Sequence, residues 1–409
     1  MKSRARYLGS TSGRSLTAVS AALAVLLFAW LVGFGWAQDT PVYTVLYTFT
    51  GAGGSNPFTG LIRDKAGNLY GTSVQSGLFS CGEVFKLDPF GHDTSLYSFT
   101  CGTDGSRPSA SVALDPAGNV YGTASRGGGT SCNSGQGCGT IFKLNPSGAE
   151  TTLYAFEGGT DGACPLAPLN RDTRGNLYGT TFDGGDPSCN CGTVFKLDTS
   201  NVETVLYAFK GGTGGSSPAG PLTRDATDNL YGTAGGGAFG FGVVFKLDAS
   251  NNETVLYSFT GGSDGAYPQG GVIMDAAGNL YGTTSEGGDT SCFAPNGCGT
   301  IFKLDATGKK TVLRTFTGGS DGAIPAGDII RDGAGNLYGT TVQGGAYGQG
   351  VVFRLTATGR ESILHAFTGG VDGASPQGGV IADSTGNLYG IATNGGVYSL
   401  GVAFKISLK

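Results

Sequence analysis

The sequence predicts an all-β protein, a seven-bladed β-propeller of four-stranded antiparallel blades. The first observation is a phrase, Gly-Asn-Leu-Tyr-Gly-Thr or a near copy, that recurs about tyrosines 50 to 57 residues apart: Tyr70, Tyr121, Tyr178, Tyr231, Tyr281, Tyr338 and Tyr389. The second is that the chain begins and ends with different strands of the same repeat. A period of this length indicates one supersecondary unit used seven times.

Each repeat contains four short strand-like segments, called A, B, C and D in chain order. In the fifth repeat these are residues 271–275, 280–284, 300–305 and 310–316. Their β-branched and aromatic residues favour strands, and Gly278 and Asn279 between A and B are typical turn residues. The 77 glycines recur at fixed places, so they mark turns and not low complexity. Short strands between such turn signals indicate an all-β fold.

The C segments are apolar on both faces, which predicts that each sheet is packed between two others. Val194 and Phe195 are adjacent in one C segment, and Val244 and Phe245 are adjacent in another. Because neighbouring residues of a strand point to opposite faces, both faces must be covered.

The ends of the chain predict a closed ring. The first strand after the N-terminal region, residues 43–49, has the D pattern, and the last, residues 401–406, has the C pattern. Pairing them completes the seventh blade and leaves no open sheet edge. An open solenoid would need atypical capping repeats, and the terminal repeats here are ordinary.

Residues 1–37 are predicted to be a secretory signal peptide, and residues 38–409 the propeller. Four basic residues precede an apolar run over residues 18–36, and Gly35 and Ala37 precede the expected cleavage site. A retained anchor helix is the alternative. We therefore expect an exported protein, extracellular or in the cell envelope, with no membrane span after cleavage. Removing the four basic residues changes the net charge from −5 to −9, which argues against a nucleic-acid partner.

The repeat resembles that of exported bacterial tandem-repeat proteins of the GloVer, or choice-of-anchor, type. The resemblance rests on the Asp-Gly-x-x-Pro loop, Gly-Asn-Leu-Tyr-Gly-Thr, a Gly-Gly loop and Gly-Thr-Val-Phe-Lys-Leu, and it covers nearly all of the mature chain. It implies an exported propeller without assigned catalytic residues. Many such proteins carry a C-terminal anchoring segment, which we do not expect here because the sequence ends at Lys409 directly after its last strand.

Histidine chemistry is not expected. His365 replaces a tyrosine found in four sister repeats, and His92 lies in a turn. Two unrelated histidines provide neither a Ser–His–Asp triad nor a histidine metal site. No catalytic residue is predicted.

The aspartates form two sets. Those before the A–B turns are expected to structure the turns: Asp64, Asp115, Asp172, Asp225, Asp275, Asp332 and Asp383. Those in the D–A loops are, with Tyr267, the candidate binding residues: Asp104, Asp161, Asp264, Asp321 and Asp372. The favoured interpretation of the second set is that it structures the D–A loops. Because these loops lead to the innermost strands, crowding of the carboxylates around the central opening is the alternative. We expect no metal or other cofactor; the alternative is calcium on these carboxylates.

The nine cysteines of an exported chain indicate disulfides. The predicted pairs are Cys132–Cys138, Cys292–Cys298 and Cys81–Cys101. Cys164 could reach either Cys189 or Cys191 on the same rim, with one thiol left over, and the sequence leaves the partners of these three residues open. Zinc is the competing interpretation, but no four-ligand set is complete in the sequence.

The favoured function is that of a binding or surface-interaction module. The B–C and D–A loops emerge on one face, here called the loop rim, and differ between repeats. A glycan or a surface protein is the expected partner of a monomer. The alternatives are an extracytoplasmic enzyme acting on polysaccharide and a purely structural envelope protein.

Overall fold

A computed structural model describes residues 40–51 and 57–408; the predicted signal peptide, residues 1–37, lies outside the described residues. Residues 41–408 form one compact unit. The described residues contain 28 strands in seven four-stranded antiparallel sheets, each ordered A, B, C, D from the axis outward. The structure confirms the predicted seven-bladed β-propeller.

Strands are numbered β1 to β28 along the chain. The A strands are β2 Ile62–Arg63, β6 Ala113–Leu114, β10 Asn170–Arg171, β14 Thr223–Arg224, β18 Ile273–Met274, β22 Ile330–Arg331 and β26 Ile381–Ala382. The B strands are β3 Leu69–Ser73, β7 Val120–Ala124, β11 Leu177–Thr181, β15 Leu230–Ala234, β19 Leu280–Thr284, β23 Leu337–Thr341 and β27 Leu388–Ala392.

The C strands are β4 Glu83–Leu87, β8 Thr140–Leu144, β12 Thr193–Leu197, β16 Val243–Leu247, β20 Thr300–Leu304, β24 Val351–Leu355 and β28 Val402–Ser407. The D strands are β1 Val42–Thr48, β5 Asp93–Ser98, β9 Glu150–Ala155, β13 Glu203–Ala208, β17 Glu253–Ser258, β21 Lys310–Thr315 and β25 Glu361–Ala366. Short 3-10 turns lie at Asn133–Gly135, Gly212–Gly214 and Gly262–Asp264.

The A strands are shorter than the sequence predicts, whereas the B, C and D strands of the fifth repeat match to within one residue. Residues 271 and 272 were expected to be part of a strand that now begins at Ile273. A Cβ on Gly271 would lie 2.5 Å from the carbonyl oxygen of Pro221 in the neighbouring blade. In the segments before the A strands, the main chain of one blade therefore packs against the main chain of the next. Near the axis this packing takes the place of strand pairing within the blade.

The ring closes through β1 and β28, as predicted. Their register runs from Val42 opposite Ser407 to Thr48 opposite Val402, with a bulge between Val45 and Tyr47. The six C–D pairs within single repeats carry a bulge at the same place, as between Val194 and Phe195. The N-terminal strand β1 thus takes the D position of the seventh blade, with the same antiparallel pairing and the same bulge as the D strands of the other six blades.

A glycine in each B strand makes room for a phenylalanine ring of the adjacent C strand. Gly179 lies opposite Phe195, and a Cβ at Gly179 would be 2.6 Å from Cζ of that ring. The same contact recurs in every blade, between Gly71 and Phe85, Gly122 and Phe142, Gly232 and Phe245, Gly282 and Phe302, Gly339 and Phe353, and Gly390 and Phe404. The ring fits only if the residue opposite it has a hydrogen atom in place of a side chain, which explains why a glycine occurs inside each B strand.

The same phenylalanines join neighbouring blades. Each meets, with ring centroids 5.1 to 5.4 Å apart, a phenylalanine that follows the D strand of the previous blade. The pairs are Phe49–Phe85, Phe99–Phe142, Phe156–Phe195, Phe209–Phe245, Phe259–Phe302, Phe316–Phe353 and Phe367–Phe404. These rings are almost fully buried, and six of the seven pairs have the edge-to-face geometry that aromatic rings prefer.

We predict that Gly179→Ala destabilises the protein by about 1–3 kcal/mol, because the added methyl group must displace the Phe195 ring from both of its contacts. Gly159→Ala in a D–A loop is the matched control, since nothing lies within 4 Å of its Cβ position and its φ is not positive. The control should change stability by less than about 0.5 kcal/mol. Urea denaturation measures both variants, and equal stabilities would contradict the role assigned to the glycine.

Candidate functional site

The aspartates before the A–B turns have the structural role expected of them. Asp275 accepts the backbone N–H of Asn279 at 2.9 Å on Oδ1 and the hydroxyl of Tyr281 at 2.9 Å on Oδ2. Burial alone would raise the pKa of Asp275, but its hydrogen bonds outweigh burial and lower the pKa to about 2. The Asp, Asn and Tyr of every repeat form this arrangement, so the tyrosine of the repeated phrase ties strand B to the turn before it.

The aspartates of the D–A loops lie beside the outer strands and not around the axis. Asp104 accepts the backbone N–H of Thr100 at 2.7 Å, the hydroxyl of the same threonine, and the hydroxyl of Tyr97. Asp161, Asp264, Asp321 and Asp372 likewise accept hydrogen bonds from their own loops and D strands.

These contacts agree with the loop-structuring role expected of these aspartates, and the alternative, that they crowd the central opening, was wrong. The loop runs from the outermost to the innermost strand, and the aspartate comes early in it, close to the outer strand. A part for these residues in binding stays a prediction.

Both histidines lie away from the axis. His365 replaces the tyrosine of its sister repeats, with Nε2 3.0 Å from Asp372 and its ring stacked 3.7 Å from that of Tyr43. Burial lowers the pKa of His365, and the neighbouring carboxylate partly opposes this effect. His92 is in the exposed β4–β5 turn, where Nδ1 lies 2.8 Å from Asp88. The structural role predicted for His365 agrees with these contacts.

Acidic side chains at the start of the D strands are partly buried between blades. Burial, and then repulsion from Asp161 of the preceding blade, raise the pKa of Glu203 to about 7. Glu361 reaches the same value, again mainly through burial, although Arg314 opposes the change. Lys310 occupies the equivalent position in the fifth blade, 4.0 Å from the carboxylate of Asp264. Like charges thus meet at the interface that contains Glu203, and opposite charges at the interface that contains Lys310.

We predict that the stabilisation contributed by Glu203 declines as the pH rises from about 5 to about 8. The folded-state pKa of Glu203, about 7, exceeds its ordinary value of 4.5, so the folded chain holds the proton more tightly than the unfolded chain. The stabilisation is complete below the unfolded pKa and disappears as the pH rises through the folded one. Glu203→Gln should make the decline shallower, whereas Glu157→Gln, at an exposed position, should leave it unchanged. Urea denaturation across this pH range tests both variants, and an unchanged decline in Glu203→Gln would contradict the prediction.

Four disulfides lie in the loop rim and constrain its loops. Three are the predicted pairs, Cys81–Cys101, Cys132–Cys138 and Cys292–Cys298, and the fourth joins Cys189 to Cys191. The pairing that the sequence left open among Cys164, Cys189 and Cys191 is thus between the last two. The turn at Asn190, whose φ is +54°, lets its two neighbours pair with each other. Cys164 is buried in the apolar core beside Ile141 and Phe156, with Nη1 of Arg126 2.9 Å from its sulfur.

An axial cavity of about 490 Å³ opens on the loop rim. The segments that precede the A strands line it, and all seven blades contribute. In each repeat one residue follows the shared proline of the D–A loop, and all seven of these residues line the cavity. We call them the post-proline ring: Phe58, Ser109, Leu166, Ala219, Gln269, Ala326 and Gln377.

Of the predicted binding residues, Tyr267 is the one that lines this cavity. It lies in the left-handed region with φ of +54°, directly before Pro268. Its N–H donates to the carbonyl of Phe241 at 2.8 Å, and its carbonyl accepts the N–H of Ser285 at 3.1 Å. The main chain is thereby fixed, while the side chain remains 41% exposed at the mouth.

The post-proline ring was not among the predicted binding residues, although its Phe58 is 46% exposed. The sequence did contain a signal. The position after the shared proline differs between repeats and carries Phe, Ser, Leu, Ala, Gln, Ala and Gln, whereas the phrase Gly-Asn-Leu-Tyr-Gly-Thr further along each repeat hardly changes. The recurring carboxylates, which are more conspicuous in the sequence, belong to the scaffold.

No three His, Cys, Asp or Glu side chains within residues 40–51 and 57–408 come together in a way that would hold a metal ion. No helix among these residues has the length and apolar character needed to cross a membrane.

Comparison with solved structures shows related folds. Virginiamycin B lyase from Staphylococcus aureus superposes with a TM-score of 0.58 at 12% identity, over 90% of this chain and 99% of the lyase. The extracellular domain of a proposed one-component system from B. thetaiotaomicron gives 0.55 at 10% identity, over 90% of this chain and 40% of that protein. At such identities the likeness extends to the fold alone.

No curated protein sequence matches the chain. A family model described as the Gloeobacter/Verrucomicrobia repeat matches it over residues 32–186, 128–294 and 288–409. These three segments together span nearly all of the repeats, in agreement with the resemblance noted in the sequence. The chain belongs to the Gloeobacter/Verrucomicrobia repeat family.

Proposed function

We propose that this protein is an exported binding module that holds a glycan at the mouth of its axial cavity. The observation that carries the proposal is the post-proline ring. Its seven positions have equivalent places in seven similar blades but carry five different residue types. Variable side chains on a constant frame are typical of a recognition surface.

The chemistry of the mouth suits a sugar. Phe58 and Tyr267 come from the first and fifth blades, which lie on opposite sides of a seven-membered ring. Their exposed rings provide apolar faces for the C–H surface of a pyranose. Gln269, Gln377 and Ser109 contribute amides and a hydroxyl that can exchange hydrogen bonds with sugar hydroxyls. A cavity of about 490 Å³ is in the size range of small-ligand sites.

The disulfides support both export and binding. Four bridges are what an oxidising compartment favours, and they are compatible with the predicted signal peptide. Three of them constrain single B–C loops of the loop rim, and Cys81–Cys101 joins a B–C loop to the D–A loop that follows it. Loops ordered in advance lose less conformational entropy when a ligand binds.

We predict that the mature chain, residues 38–409, binds a subset of polysaccharide fragments on a glycan array. For a fragment that binds, Phe58→Ala and Tyr267→Ala should each weaken affinity by about tenfold or more, because each removes an aromatic contact at the centre of the site. Phe90→Ala is the control, since that ring is 85% exposed in the β4–β5 turn on the opposite face and should have no effect. Isothermal titration measures the affinities.

The same experiment separates the alternative functions. Titrations with calcium chloride and with a chelator test whether binding requires calcium. Chromatography of the bound fragment after incubation detects cleavage, which would favour the polysaccharide-acting enzyme. Binding that survives both cavity substitutions, or an array without any bound fragment, would contradict the proposal.

A further inference from the structure

One blade places a carboxylate on the axis where the other six have small uncharged residues. Asp328 is the third residue after the proline of the sixth repeat. The equivalent residues of the other blades are Gly60, Ser111, Pro168, Pro221, Gly271 and Gly379. Six blades therefore close the ring without a charge at this position, and the repeat architecture does not require one.

Asp328 lies where two cavities meet. It lines the cavity at the mouth and also a second axial cavity of about 320 Å³. The second cavity is lined by A-strand residues such as Ile273, Ile330 and Ile381. One oxygen of the carboxylate, Oδ1, accepts the N–H of Gly271 in the neighbouring blade at 2.9 Å.

The carboxylate has no cationic neighbour on the cavity walls. Among the described residues that line the two cavities there is no lysine, arginine or histidine, and Asp328 is the single side chain with a full charge when ionised. Burial raises the pKa of Asp328, and the bond from Gly271 only partly offsets this effect. The charged form is thus stabilised less here than in water, and a cation entering the cavity would restore its stability.

We propose that the axial site selects an amine-bearing sugar, with Asp328 as the counter-ion of the protonated amine; this inference rests on the proposed glycan site. The aromatic rings of Phe58 and Tyr267 at the mouth are compatible with such a ligand, because they attract cations as well as sugar faces. An acetylated amine would bring no charge and would place an amide near the carboxylate. A single carboxylate on the axis therefore discriminates between the free and the acetylated amine.

The test compares a β-1,4-linked glucosamine oligomer with its N-acetylated counterpart by isothermal titration. The buffer is acidic enough to protonate the sugar amine; pairing with the amine lowers the pKa of Asp328 and so keeps the carboxylate ionised in the complex. The wild-type chain should bind the free-amine oligomer about 30-fold more tightly or better, the effect expected of a desolvated charge pair.

Asp328→Asn is the matched variant. Asparagine keeps the shape of the side chain and an oxygen that accepts the N–H of Gly271, so the variant should fold and melt like the wild type. It should lose the preference for the free amine while its affinity for the acetylated oligomer is unchanged. Phe90→Ala, on the opposite face, should retain the preference.

The outcomes separate this inference from the proposed function. Equal affinity for the two oligomers, or a preference that survives Asp328→Asn, overturns the inference and leaves the glycan site intact. Binding of neither oligomer, together with an array without any bound fragment, defeats both. Calcium chloride that abolishes the preference at matched ionic strength would assign the carboxylate to an inorganic cation and would also overturn the inference.

Discussion

The fold depends on one contact, a phenylalanine ring lying over a glycine. In each blade the ring of the C strand occupies the space that a side chain on the B strand would otherwise fill. The edge of that ring is then free to meet a phenylalanine of the preceding blade. A single residue type therefore joins strand to strand within a blade and blade to blade around the ring. The glycine of the B strand and the phenylalanine of the C strand therefore depend on each other, because the ring fits only where the glycine has no side chain.

The residues that are constant between the repeats thus have structural roles. The aspartate, asparagine and tyrosine of the A–B turn bind one another, and the aspartates of the D–A loops cap the ends of the outer strands. The residues that the repeats share build the scaffold, and the residues of the post-proline ring, which differ between repeats, line the mouth of the cavity. In a repeat protein of this kind, the positions that differ between repeats are the first candidates for function.

The blades, the closing strand and two of the disulfides could be predicted because the sequence aligns with itself, and Cys81–Cys101 because its cysteines are equidistant from the C–D turn of the first repeat. Strand positions B, C and D follow from local residue pattern, and Cys132–Cys138 recurs three repeats later as Cys292–Cys298. The A strands were predicted too long because their limits depend on the main chain of neighbouring blades, as at Gly271 and Pro221. The site was harder still. Phe58 and Asp328 acquire meaning only when seven segments, far apart in sequence, converge on one axis.

The closing strand has a consequence for how the chain acquires its structure. Val42 pairs with Ser407, so the seventh blade joins the two most distant parts of the described chain. Six blades consist of residues adjacent in sequence and can form as soon as their own strands are available. The seventh has only three strands until β1 is brought to β28, and closing a loop of this length carries the largest entropy cost in the molecule. Non-local pairing of this kind slows folding. A chain synthesised in order from its N-terminus therefore completes its ring only after its last strand has been made.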